Sequence, residues 1–152
     1  MLDEYERRIL KELQRNGRAS AQDLSDAIGL SPSPCWRRVK KLEDEGYIAQ
    51  YAAVLDQKRL GLAALAYVHI SLTEHSEAAI KTFTDFVARS DQVVECASIT
   101  GDSDFVLKVA AKDPESLEQF IMKRILRLGV VRNATTNFIL RQMKRGPALP
   151  VD

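Results

Sequence analysis

Apolar positions recur at helical spacing three times within the first 45 residues. Tyr5, Ile9, Leu10 and Leu13 make the first stripe; Asp3 stands in the N-cap place, Glu6 at capping-box spacing, and Asn16-Gly17 ends the run. A shorter stripe follows, Ala21, Leu24, Ala27 and Ile28, with Ser20 as cap, Asp23 completing its box, and Gly29 making a turn. The third run reads GLSPSPCWRRVKKLEDEGY. Ser31 is placed to cap it, and Pro32 takes the first position, where a missing N–H costs nothing. Cys35, Val39 and Leu42 fall at i, i+4 and i+7, and the helix stops at Gly46. Two short helices, a glycine turn and a longer helix predict a helix-turn-helix. Ile48, Tyr51 and Val54 predict a short extended segment or wing between Tyr47 and Leu55.

After the polar segment DQKRLG the period changes to two. From Ala63 to Thr73, Val68, Ile70 and Leu72 point one way; Tyr67, His69 and Ser71 point the other. A helix follows from about Ser76 to Arg89, with Ile80, Phe83, Phe86 and Val87 on its stripe. Strands over Val93 to Ile99 and Asp104 to Ala110 flank the turn Thr100-Gly101-Asp102-Ser103. A helix from Asp113-Pro114 buries Leu117, Phe120, Ile121, Ile125 and Leu128 and closes at Gly129. A last strand is expected from Val131 to Met143. This order, β-α-β, turn, β-α-β, predicts a ferredoxin-like four-stranded antiparallel sheet with both helices on one face. Tyr67, His69 and Ile139 lie on or near the other face, whose simplest cover is a second copy of the chain. The fold class is α+β: a winged helix-turn-helix domain at 1–55, a linker at 56–62, a ferredoxin-like domain at 63–145 and a loose tail at 146–152.

The 152 residues allow one domain with a real core or two small ones. Net charge is +1, and residues 1–50 hold nine cations and nine anions, so a nucleic-acid signal must come from local placement. No apolar run approaches the ~20 residues of a membrane span. The segment MLDEYERR has no apolar core of a secretory signal, so a cytoplasmic protein is expected, with Cys35 and Cys96 as buried thiols. His69 and His75 do not complete a zinc set.

Local placement does carry a signal. Arg37, Arg38, Lys40 and Lys41 stand within five positions, with no carboxylate from Ser31 to Leu42. Together with Ser33 and Trp36 they spread over the side opposite the apolar stripe. A helix anchored in this way presents cations to phosphates and base edges in a major groove. The other reading is a solvated cationic face balanced by Glu43, Asp44 and Glu45. Arg37 and Lys41 are the choices for base edges or nearby phosphates, and Ser31 and Ser33 offer hydroxyls and N–H groups to a phosphate. Trp36 either packs on the first helix or touches DNA backbone. Asp102 and Asp104 sit in a favoured hairpin turn. They lack a nucleophile or cofactor motif, which argues against an enzyme; a carboxylate or turn carbonyl there would hold an amino-acid ammonium. His75 reads as exposed and His69 as half-buried packing.

The stretch LSPSPCWRRVKKLEDEGYI, the βαββαβ order and the turn TGDSDF together resemble the Lrp/AsnC, or feast/famine, family of transcription regulators over Leu2 to about Lys144. The resemblance implies a DNA-binding regulator with no cofactor, whose C-terminal domains dimerise through their sheets and assemble further into tetramers or octamers. It also implies an amino-acid effector held between C-terminal domains, at Gly101, Asp102 and Asp104 and at Asn137 and Phe138 on the last strand. The family commonly has an aromatic residue where this chain has Asn137, and an aliphatic one at Phe138 and Trp36. Two other functions fit the same pattern. One is a nucleoid-type protein with little sequence preference. The other is a ferredoxin-like small-molecule module whose N-terminal helices mediate assembly.

Overall fold

A computed structural model describes residues 1–146 and 148–152. The chain divides into two compact units, one of residues Met1–Val54 with Lys144–Asp152, the other of Leu55–Met143.

The first unit holds α1 (Glu4–Arg15), α2 (Ala21–Ile28) and α3 (Pro32–Asp44). Asp3 and Ser20 each form a complete capping box, with Glu6 and Asp23. Gly29 ends α2 at φ 79°, a left-handed conformation that glycine adopts without strain. Ser31 starts α3 through its backbone carbonyl, which accepts from Cys35 N; its hydroxyl makes no cap bond. Ile9, Leu24, Ile28, Cys35, Val39 and Leu42 form the core, with Leu10, Leu13 and Ile48 packed against it.

One expectation is corrected in this unit, that of a loose tail. Residues 47–55, expected as a short extended segment or wing, form no helix or strand. Tyr51 Oη donates to Glu43 Oε1 at 3.0 Å. In the tail, expected to be loose, Leu149 and Asp152 are hydrogen-bonded to α1. The Gln14 amide pairs with both the N–H and the carbonyl of Leu149, and Arg7 Nε donates to the Asp152 backbone oxygen.

The second unit is built on β1 (Ala64–Leu72), α4 (Glu77–Ala88), β2 (Val93–Ser98), β3 (Phe105–Ala111), α5 (Pro114–Phe120) and β4 (Val131–Phe138). The sheet order is β2-β3-β1-β4, and every neighbouring pair is antiparallel. This is the ferredoxin-like arrangement. Val68, Ile70, Leu72, Leu107 and Val109 face Phe83, Leu117, Phe120 and Ile125 in one core.

Between α5 and β4 the helix widens to a π turn at Ile121–Ile125 and tightens to a 3₁₀ turn at Leu126–Leu128. Apolar spacing alone did not foretell the change of hydrogen bonding. β4 stops at Phe138, short of the expected Met143, although Ile139 N still donates to Leu65 O at 2.8 Å. Ile80 is exposed and Ala79 takes the inward place on α4. Cys96 is exposed on the edge strand β2, whereas Cys35 is buried.

Candidate functional site

Ser33, Trp36, Arg37 and Lys40 fall at i, i+3, i+4 and i+7 on α3, opposite the buried Cys35, Val39 and Leu42. The four clustered cations divide by what they touch. Lys41 Nζ donates to Glu6 Oε1 at 2.7 Å, and Arg38 pairs with Asp3 and lies 3.7 Å from the same Glu6 oxygen. The Arg38 guanidinium also stands 5.5 Å over the Tyr5 ring. Glu6 is almost wholly buried, and its carboxyl is held below its ordinary value by the Lys41 hydrogen bond first and the Asp3 N–H second. Two of the four cations therefore fasten α3 to α1.

Lys40 bonds Glu43 at 2.9 Å and lies 5.9 Å from the centre of the Trp36 ring. Glu43 is held low by Lys40 and then by Tyr51, while partial burial and Glu43 push the Tyr51 phenol up to about 12. Among the described residues Arg37 alone of the four cations makes no ion pair, and it is exposed. Trp36, read from sequence as packing or backbone contact, keeps 51% of its surface exposed and is not a core residue.

In the second unit Gly101 adopts φ 117°, a backbone that side-chain-bearing residues rarely adopt. Asp104 ties the following turn to β1. Its N–H donates to Ile70 O at 2.8 Å, and Oδ2 accepts from Leu72 N at 2.7 Å. Oδ1 meets His75 Nε2 at 2.7 Å. The carboxyl is held below the usual aspartate range by the Leu72 N–H first and His75 second. Asp102 is exposed, and its carbonyl faces the Ser71 hydroxyl at 3.4 Å.

Asn137 and Phe138, on β4, lie opposite Tyr67 and Ala66 of β1. Four to five residues separate them from the turn, on the order of 13–17 Å of strand. Successive strand residues also point to opposite faces. Asn137 shares the helix-free face with Tyr67 and its other neighbour Lys108, and Phe138 shares the face of Ala66. A single copy of this unit thus gathers Gly101, Asp102 and Asp104 and leaves Asn137 and Phe138 apart from them. Sequence reasoning missed Glu6, Tyr51 and His75 as members of these sites. Glu6 was visible only as half of a capping box; the partner of His75 is 29 residues away.

The family model described as the Lrp/AsnC ligand binding domain matches residues 65–149, and that described as winged helix-turn-helix DNA-binding matches residues 2–49. The transcriptional regulator AzlB of Bacillus subtilis is 35% identical, over 100% of this chain and 97% of its own. The leucine-responsive regulatory protein of Escherichia coli is 33% identical, over 99% of this chain and 92% of its own. A transcriptional regulator of Neisseria meningitidis, solved as a complex with L-Met, superposes with a TM-score of 0.97 at 34% identity, covering 100% of this chain and 98% of that one. With its helical and sheet units both matched, and full-length relatives at this identity, the chain belongs to the Lrp/AsnC family of transcriptional regulators.

Proposed function

We propose that this protein binds double-stranded DNA sequence-specifically as a homo-oligomer in the cytoplasm, and that an amino acid bound at its C-terminal domains sets its DNA affinity. The observation that carries the reading is the polar face of α3. Ser33, Trp36, Arg37 and Lys40 stand outward while Cys35, Val39 and Leu42 hold the helix down. Arg37, without an ion-pair partner among the described residues, is the residue for a guanine edge, a contact that discriminates by about 1–3 kcal/mol. Ser31 and Ser33 at the helix start suit a phosphate. Arg38 and Lys41 serve chiefly to hold α3 in place, and Lys40 to brace its neighbours.

The effector reading rests on the turn. Both carboxylate oxygens of Asp104 are engaged inside the chain, so it shapes the turn, and Asp102 with the turn backbone is left to meet an ammonium. The separation of Asn137 from the turn supports a pocket completed by a second copy. The Neisseria relative holds L-Met, which supports an amino acid as the effector class.

Gel-shift titration against duplexes selected from a random pool tests the DNA half. Tight binding to selected sequences, lost in Arg37→Ala, supports it; equal affinity for all sequences favours a packaging role instead. A thermal-shift screen against the twenty amino acids tests the effector half. A stabilising ligand supports it, and a flat response overturns it.

A further inference from the structure

Trp36 has no place in a scheme of phosphate and guanine contacts. A tryptophan half in water on a cationic face leaves a large apolar area unburied. The position is specific: it lies in the N-terminal half of α3, between Ser33 and Arg37, the part of a recognition helix that meets base edges. The major groove offers one apolar feature to such a side chain, the C5-methyl of thymine.

The indole is also braced. Tyr51 Oη donates to one Glu43 oxygen at 3.0 Å, the other accepts from Lys40 Nζ at 2.9 Å, and that ammonium sits 5.9 Å from the indole centre. The Lys40 charge is balanced by Glu43, so this cation positions the ring more than it attracts phosphate. Fixing the ring beforehand removes ordering cost from the binding step.

We propose that Trp36 reads a thymine methyl group in the major groove, and that Tyr51, through Glu43 and Lys40, is a positioning residue for it. The proposal rests on the DNA-binding reading above and adds the base feature recognised.

The experiment replaces thymine by deoxyuridine, one position at a time, in duplexes selected by the wild-type protein. One buried methyl corresponds to roughly fourfold in affinity. Wild type is expected to lose three- to fivefold at one or more thymines in each half-site, while Trp36→Ala binds the thymine and uracil forms alike. Tyr51→Phe is expected to fold normally and to show a reduced thymine-to-uracil ratio. Trp36 is the one tryptophan in the chain, so its fluorescence reports the site directly. Selected DNA is expected to shield it from acrylamide.

Uracil substitution without effect on wild type, or with the same effect on Trp36→Ala, overturns the proposal while DNA binding stands. An indole as quenchable in the complex as in the free protein also overturns it. Failure to select any sequence removes the specific DNA-binding reading itself, and this proposal with it.

Discussion

Lys41 Nζ lies 2.7 Å from Glu6 Oε1, so a cation of α3 is directed at α1. Exposed charges on one helix are easily counted as equals, and this contact shows that they are not. Arg37→Gln should weaken binding to selected duplexes by about 1–3 kcal/mol and relax the preference at one base pair, as expected when a guanine contact is lost. Lys41→Gln should leave that preference nearly unchanged and instead lower the stability of the folded protein. Titrations against selected and single-base-changed duplexes, with denaturation curves alongside, separate the two effects.

Glu6 makes this anchorage pH-dependent. Its folded pKa is lower than its unfolded one, the Lys41 hydrogen bond being the first cause. The associated stability is therefore present above about pH 4.5 and lost as pH falls toward the folded value. Glu6→Gln is expected to cost about 1–3 kcal/mol at pH 7. Urea unfolding at pH 7 and pH 4 should show wild type losing more stability than the variant over that interval.

Asp104 carries more than its hydrogen bond with His75, because its other oxygen accepts from the Leu72 N–H. Asp104→Ala should destabilise the protein by about 1–3 kcal/mol. His75→Ala, which removes an exposed partner, should cost under about 1 kcal/mol. The aspartate contribution is present above the ordinary carboxylate pKa near 3.8 and fades below it, since its folded pKa is depressed. Chemical denaturation of the two variants across acidic pH checks both the order and the sign.

The two cysteines should differ in reactivity. Cys96 is exposed and Cys35 buried. A thiol reagent should modify one cysteine per chain in native protein and two in denaturant, with Cys96→Ser removing the fast reaction.

Gly29 tests the turn of the helix-turn-helix. At φ 79°, nothing lies within 4 Å of an added Cβ, so Gly29→Ala carries backbone strain without a clash. A loss of about 1–2 kcal/mol is expected, read as a lower Tm.

The helices and strands were legible because each announces itself locally. Asp3, Ser20 and Gly29 mark ends through groups a few residues away, and Val68, Ile70 and Leu72 show their face by alternation. What stayed hidden depends on residues far apart in the chain. Nothing near Lys41 points to Glu6, and nothing near Asp104 points to His75. Cys96 and Ile80 are apolar by type and on amphipathic elements; their exposure follows from sheet order and helix rotation. Trp36 was ambiguous for the same reason, because its spacing is compatible with either a packed or an outward ring. Tyr51, in the segment expected to be extended, bonds Glu43 through its hydroxyl, a contact that the alternation of residue types does not show.

The segment after β4 changes how a fragment of this protein should be designed. Leu149 engages Gln14 with both of its main-chain polar groups, and Lys144–Asp152 groups with Met1–Val54. The DNA-binding half is thus discontinuous in sequence. A fragment cut after Val54 lacks that stretch and leaves the Gln14 amide to solvent. Excising the sheet unit and rejoining its flanks with a flexible spacer retains both pieces.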